Sequence, residues 1–295
     1  MKSYIPGEIP VMEMMALLQG AIAPRPIALV STIDMDGNPN LSPFSFFNIF
    51  GINPPILVFS PSRRGRDNTT KHTYENVKII PEVVINLVNY EMVHQINLAS
   101  AEFEKGVNEF IKAGFTQINS DLVKPFRVKE SPVQIECIVR QVIETGNEGG
   151  AGNLVICEGK KVHVSENILN SKGIIDQNKA GWIGRMGENY YCHAVGNSLF
   201  EVPKPLNRAS IGIDSLPEEI RNSHVFTGND LGLMGNMVEF PDAQTIHENQ
   251  KDETCLLILK TEKDAVSRKE KLHLYAKELL KKGEIAKAIS ICIIR

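Results

Sequence analysis

Pro26-Ile27-Ala28-Leu29-Val30-Ser31-Thr32-Ile33, Asp34-Met35-Asp36-Gly37-Asn38 and Asn40-Leu41-Ser42-Pro43-Phe44-Ser45-Phe46-Phe47-Asn48 follow one another in the chain, and their reading decides the fold. The first run is short, β-branched and bounded by prolines, so it reads as a buried strand and not a helix. The second supplies the acidic and glycine residues of a tight hairpin turn. The third returns as a second strand. After Pro54-Pro55 comes another, Ile56-Leu57-Val58-Phe59-Ser60, which runs into Ser62-Arg63-Arg64-Gly65-Arg66-Asp67-Asn68-Thr69-Thr70-Lys71-His72-Thr73. That loop is dense in cations and hydroxyls and ends where a short helix, Thr73 to Lys78, begins.

A phosphate dianion is best held by charge-assisted donors from Arg or Lys, by hydroxyls, and by the free amides of a helix N-terminus. The loop offers all three. A solvated surface loop has the same composition, so the reading draws on the preceding strand: a planar aromatic ligand can lie along Ser45-Phe46-Phe47 with its tail in the loop, although both phenylalanines also suit a core.

The remaining chain bounds the function. Its 295 residues suffice for one large domain with an appendage. With 32 basic and 35 acidic residues there is no global charge case for nucleic acid or an anionic membrane surface. No apolar run reaches the roughly eighteen residues of a membrane span, and residues 1–7 lack a signal-peptide core, so a cytoplasmic protein is expected. The cysteines at 137, 157, 192, 255 and 292 form no Cys-x-x-Cys pair and read as reduced structural thiols, with no metal site.

Met12 to Gly20 has helical spacing and a glycine stop, and is expected to be a short helix capping the barrel. Glu82 to Val88 reads as an interior strand, Tyr90 to Ala99 and Val107 to Gly114 as short helices, and Val133 to Ile143 and Asn153 to Val164 as long strands. Gly146-Asn147-Glu148-Gly149-Gly150-Ala151-Gly152 joins two strands and opens no helix, so it is a hairpin loop and not a dinucleotide fingerprint. Strands at short spacing with few helices between them argue a mainly β, antiparallel barrel. The segment Gly181 to Ala194 gathers Trp182, Arg185, Tyr190, Tyr191 and His193. Residues 227–236 are glycine-rich and expected on the barrel surface, 242–254 are polar and expected to be a linker, and Ser267 to Arg295 reads as a helical hairpin broken at Gly283.

"PRPIALVSTIDMDGNPNLSPFSFFN", "PPILVFS" and "KHTYENV" together resemble the flavin reductase-like family of FMN-binding split-barrel proteins, over residues 10–215. His72 stands where that family usually has Asp, whereas Lys71, Thr73 and Asn76 match. The resemblance implies a Greek-key split β-barrel with peripheral helices as a domain over 1–215, and a helical extension over 216–295. It implies FMN at a homodimer interface and hydride transfer from NADH or NADPH, with an alternative as an FMN-binding or electron-transfer protein without reductase turnover. A flavin-dependent oxygenase is a candidate partner. Ser42, Ser45, Phe46 and Phe47 are expected to line the ring, and Ser60, Ser62, Arg63, Lys71, Thr73 and Asn76 to hold the phosphate end. Arg185 is a candidate for tuning the ring electrostatically; no side-chain acid or base is required.

Overall fold

The computed structural model describes residues 1–202 and 209–294; residues 203–208, which include the end of the 201–206 stretch after which the resemblance thins, and Arg295 lie outside the described residues. The chain forms two compact units, Met1–Phe200 and Glu201–Arg295.

In the first unit, strand β1 (Ala28–Ile33) is buried along its whole length. Its alternate side chains serve two cores. Ala28 and Val30 pack with Phe59, Val83, Ile85 and Val155, while Leu29 packs with Leu41, Met92, Ile96 and Phe110 on the other face. Burial on both faces is why this run lacks polar alternation. Asp34 accepts amide hydrogen bonds from Asp36 and Asn38 at 3.0 and 2.9 Å, and Gly37 takes φ 83°, closing the turn into β2 (Pro39–Phe44).

The second expected strand is in fact two. It ends at Phe44, Ser45 and Phe46 turn the chain, and β3 (Phe47–Ile52) resumes beside β4 (Pro55–Phe59), with Phe47 opposite Phe59. With β5 (Glu82–Leu87), β6 (Val133–Glu144) and β7 (Asn153–Val164), these strands make one antiparallel sheet in the order β2-β1-β5-β6-β7-β4-β3. Strands β2 and β3 are therefore opposite edges joined through two residues. A flat sheet of this size would set its edges about 29 Å apart, yet three Cα steps reach at most roughly 11 Å. The sheet must curl. Among the described residues β2 and β3 do not pair with each other, so the curl stays open. The helices are also more substantial than a mainly β protein would carry, and the chain is mixed α and β. They include α1 (Val11–Ala21), α2 (His72–Ile79), α3 (Val93–Ala99) and α4 (Glu109–Ala113). Helix α1 buries none of its residues, where a packed cap was expected.

The second unit is a helical domain with its own core and not a hairpin with a linker. Helices α5 (Gly228–Gly235), α6 (Ala243–Asn249), α7 (Glu253–Thr261), α8 (Ala265–Lys281) and α9 (Ile285–Cys292) contribute to it, and Met234, Cys255, Leu272, Leu279, Ala288 and Ile289 are buried together. The glycine-rich stretch is helical because Thr227 and Asp230 cap it reciprocally, and it packs in this core. The supposed linker is helical because Asp242 and Asp252 accept the amides of Thr245 and Cys255 at 2.7 and 3.1 Å.

His273 is a buried titratable group of this unit. It is 2% exposed, its Nδ1 lies 2.7 Å from Ser223 Oγ, and its ring stacks on Phe226 at 5.1 Å. Burial, with Lys269 nearby, lowers its pKa to about 4. The folded state thus prefers the neutral ring, so this contribution is complete above the unfolded value of 6.5 and is lost as pH falls toward 4. The second unit should lose about 3 kcal/mol over that interval. Its unfolding followed by far-ultraviolet circular dichroism at several pH values tests this: His273→Asn should flatten the slope between pH 6.5 and 4, and an unchanged slope would contradict the assignment.

Candidate functional site

The loop from Ser60 to Lys71 is held in shape before any ligand arrives. Arg63 Nε donates to Asn68 Oδ1 at 2.6 Å, and Asn68 Nδ2 donates to Asn147 O at 2.9 Å, tying the loop to the β6–β7 turn. Asn68 adopts φ 57°, a conformation that Asn tolerates better than most residues. Arg64 donates to Thr69 Oγ1 at 2.9 Å and to Thr70 O, and pairs with Glu102 at 3.2 Å. The loop then enters α2, whose N-cap position is Lys71 and whose first turn has no side-chain cap.

Between this loop and the β2–β3 link lies a cleft of about 400 Å³. It brings together seven of the residues expected from the sequence: Ser42, Ser45, Phe46, Ser60, Ser62, Arg63 and Lys71 all line it. Four cations, Arg63, Arg64, Arg66 and Lys71, face one carboxylate, Glu102. Arg64 and Arg66 are engaged with Glu102; among the described residues, Lys71 Nζ has no hydrogen-bond or ion-pair partner. Burial, and then the Arg64 charge, hold its pKa below the ordinary lysine value. A half-buried ammonium with no partner is unfavourable unless an anion joins it.

Thr73, Asn76 and Phe47 stand elsewhere. Asn40 Nδ2 donates to Thr73 Oγ1 at 2.9 Å and to Thr32 Oγ1 at 3.2 Å, and Asn76 Nδ2 donates to Thr32 Oγ1 at 3.0 Å. Thr73 and Asn76, three apart, share one face of α2 and anchor it to β1 and β2. They fix the position from which Lys71 projects. Phe47 packs against the interior of the curl. His72 is half-buried, and burial holds its pKa below the usual histidine value.

Arg185 lies on a short strand, β8 (Ile183–Arg185), paired with β9 (Tyr191–His193). Its guanidinium stands 4.7 Å from the Tyr191 ring centroid and donates to Tyr190 O at 3.0 Å, outside the cleft lining. The buried arginine is Arg25, which sequence reading passed over. It is 6% exposed and donates to Gln19 O, to Ile22 O at 2.6 Å, to Met186 O at 2.9 Å and to Ser45 Oγ at 3.5 Å. One side chain thus ties the end of α1, the 185–191 turn and the β2–β3 link. Burial, then the Arg185 charge, lower its pKa from the usual value. A signal existed in the sequence, an arginine locked between Pro24 and Pro26 at the head of an apolar run. Met15, Gln19 and Ser100, which also line the cleft, carry no local signal, because only the tertiary fold brings them there.

A second cluster, Asp121, Glu136 and His163, is internally satisfied. Glu136 accepts from the Asp121 and Leu122 amides at 2.9 and 2.6 Å and lies 2.7 Å from His163 Nε2, while Lys161 pairs with Asp121 at 2.5 Å. It ties strands β6 and β7 to the preceding loop.

Comparison with known proteins gives a consistent result. A protein of Aquifex aeolicus is 38% identical over 186 residues, covering 63% of this chain and 92% of its own length. The crystal structure of nitrilotriacetate monooxygenase component B from Bacillus cereus superposes with a TM-score of 0.64 at 29% identity, over 68% of this chain and 98% of that one. A Shewanella frigidimarina protein with a split barrel domain matches at 24% identity and TM-score 0.58, over 69% of this chain and all (100%) of that one, which supports the fold. The profile of the flavin reductase like domain matches residues 21–181, and the chain belongs to that family.

Proposed function

We infer that the protein is an FMN-dependent oxidoreductase that accepts hydride from NADH or NADPH. The observation that carries this reading is the cationic cleft with the unpartnered, half-buried Lys71 at the start of α2. Its volume of about 400 Å³ lies in the range of small-ligand and cofactor sites. Lys71, Arg63 and the Ser60 and Ser62 hydroxyls would hold the phosphate; Ser42, Ser45 and Phe46 would line the ring. FMN bound in this cleft would supply hydride exchange at its N5. The chain's own part is to bind, orient and keep water out, with Arg25 fixing Ser45, and no side-chain acid or base is needed for hydride transfer. Anaerobic absorbance tests the activity: the flavin band of the FMN-loaded chain should bleach on adding NADH or NADPH, whereas a band that neither bleaches would favour a carrier without reductase turnover.

A homodimer belongs to the same proposal. Strand β3 is an edge strand with Phe50 70% and Ile52 76% exposed, a surface of the kind that a second copy covers. Phe50→Asp should shift the sedimentation coefficient from dimer to monomer, and an unchanged coefficient would remove β3 from the interface. Because the Bacillus cereus relative is a monooxygenase component, delivery of reduced flavin to an oxygenase partner is included. No helix among the described residues is long and apolar enough to cross a membrane. The unpaired cysteines suit a reducing compartment, and we place the protein in the cytoplasm.

A further inference from the structure

Beside the cofactor cleft lies a second cavity of about 690 Å³, with α1 on one side and Phe46 and the Ser62–Arg66 loop on the other. Met15, Gln19, Phe46, Ser62, Arg63, Gly65 and Arg66 line both, so the two spaces adjoin. Met12, Met15 and Leu18 form one stripe along α1 and all line this cavity. Such a stripe normally exists to be packed, and most helical stability comes from that packing. Here Met12 is 60% and Leu18 50% exposed, and no residue of α1 is buried.

Helix α1 is held over this space at its C-terminal end by Arg25 and approaches the loop at its start. At its start, Val11 lies beside Gly150 and the Met12 thioether lies beside Gly65 of the loop. At its end, Arg25 binds Gln19 O and Ile22 O. Between these points Met15 and Leu18 line the cavity. Its lining is largely thioether and aliphatic, from Ile9, Val11, Met12, Met14, Met15 and Leu18, with Phe46 and the polar Gln19, Ser62, Arg63 and Arg66 beside them. Methionine walls adapt to shape and make favourable contacts with aromatic rings. A volume of this size suits a small organic molecule.

We propose that this cavity is the binding site for the second substrate of the enzyme, a largely apolar aromatic molecule of two or three rings, seated against Met12 and Leu18. As a substrate site it rests on the flavin reading; as a binding site it does not. N-phenyl-1-naphthylamine, an uncharged fluorophore, is a suitable probe, titrated into the full chain with and without FMN. Saturable one-to-one binding is expected, weakened tenfold or more by Met12→Lys and, separately, by Leu18→Lys and Leu18→Trp, with FMN affinity within twofold of the parent. The substituted residues are not buried, so thermal unfolding should be unchanged. Absence of saturable binding, or binding retained in all three variants, would overturn the proposal. Stoichiometric displacement of the probe by FMN would assign the cavity to the cofactor and also overturn it. So would probe binding that tracks a dimer which Leu18→Lys dissociates, since the stripe would then belong to a second copy. A chain that takes no FMN but binds the probe through Leu18 would sink the flavin reading and leave this site standing.

Discussion

Lys71→Ala should weaken FMN binding by about tenfold to a hundredfold while leaving the fold intact. The two halves of that expectation have separate causes. Hydrogen bonds to charged groups contribute about 1.5–3 kcal/mol, and each 1.4 kcal/mol is a factor of ten in affinity. The fold is spared because, among the described residues, Lys71 Nζ has no partner to orphan, and removing a half-buried ammonium relieves a desolvation penalty. Lys71→Arg should recover part of the affinity, since it keeps the charge but not the ammonium's compact shape. Fluorescence quenching of FMN measures the affinity and calorimetry the stability. Equal FMN affinity in the alanine variant would remove Lys71 from the phosphate site; a large loss of stability would mean that it is a structural residue.

Arg25→Ala should act in the opposite sense, lowering stability first. Its guanidinium is buried and serves three carbonyls and the Ser45 hydroxyl. Truncation leaves those acceptors without their charged donor in a site where water has little access, a loss of about 3–5 kcal/mol by comparison with buried charged networks. For a unit of this size that corresponds to roughly 6–20 °C in the unfolding temperature. The helix α1 and the 185–191 turn lose their common tether, so limited proteolysis should cleave near Gln19 faster than in the parent. Arg25→Lys should be intermediate, because a single ammonium cannot reach all four acceptors in the guanidinium's fork geometry. A melting temperature within about 2 °C of the parent would show that the tether is dispensable.

Much of this architecture is legible in the sequence, and the reasons are local. The run Ala28–Ile33 is apolar because both its faces are buried, the Asp34–Asn38 turn carries its own hydrogen-bond acceptor, and the long strands β6 and β7 are continuous and β-branched. The cationic loop is equally plain, since charge and hydroxyl density survive in one dimension. The break at Ser45-Phe46 is not legible, because nothing in that dipeptide says that its two neighbours belong to opposite sheet edges. Thr73 and Asn76 match a phosphate-loop pattern by spacing alone; only the fold shows that this spacing turns them toward Thr32 and Asn40. Asp242 and Asp252 were readable as helix caps, yet the polar composition around them suggests a linker. Arg25 is the instructive case. Its four acceptors come from positions 19, 22, 45 and 186, and no window of sequence contains them all.

The cleft is proposed to hold a flavin by its phosphate, at Lys71. Affinities of FMN and of riboflavin, which lacks only the phosphate, measured on the parent and on Lys71→Ala test it in one cycle. FMN should bind the parent at least tenfold more tightly than riboflavin does, and the difference should shrink by most of that factor in the variant. Equal affinity of the parent for the two flavins, or a preference for FMN that persists undiminished without Lys71, would contradict the account.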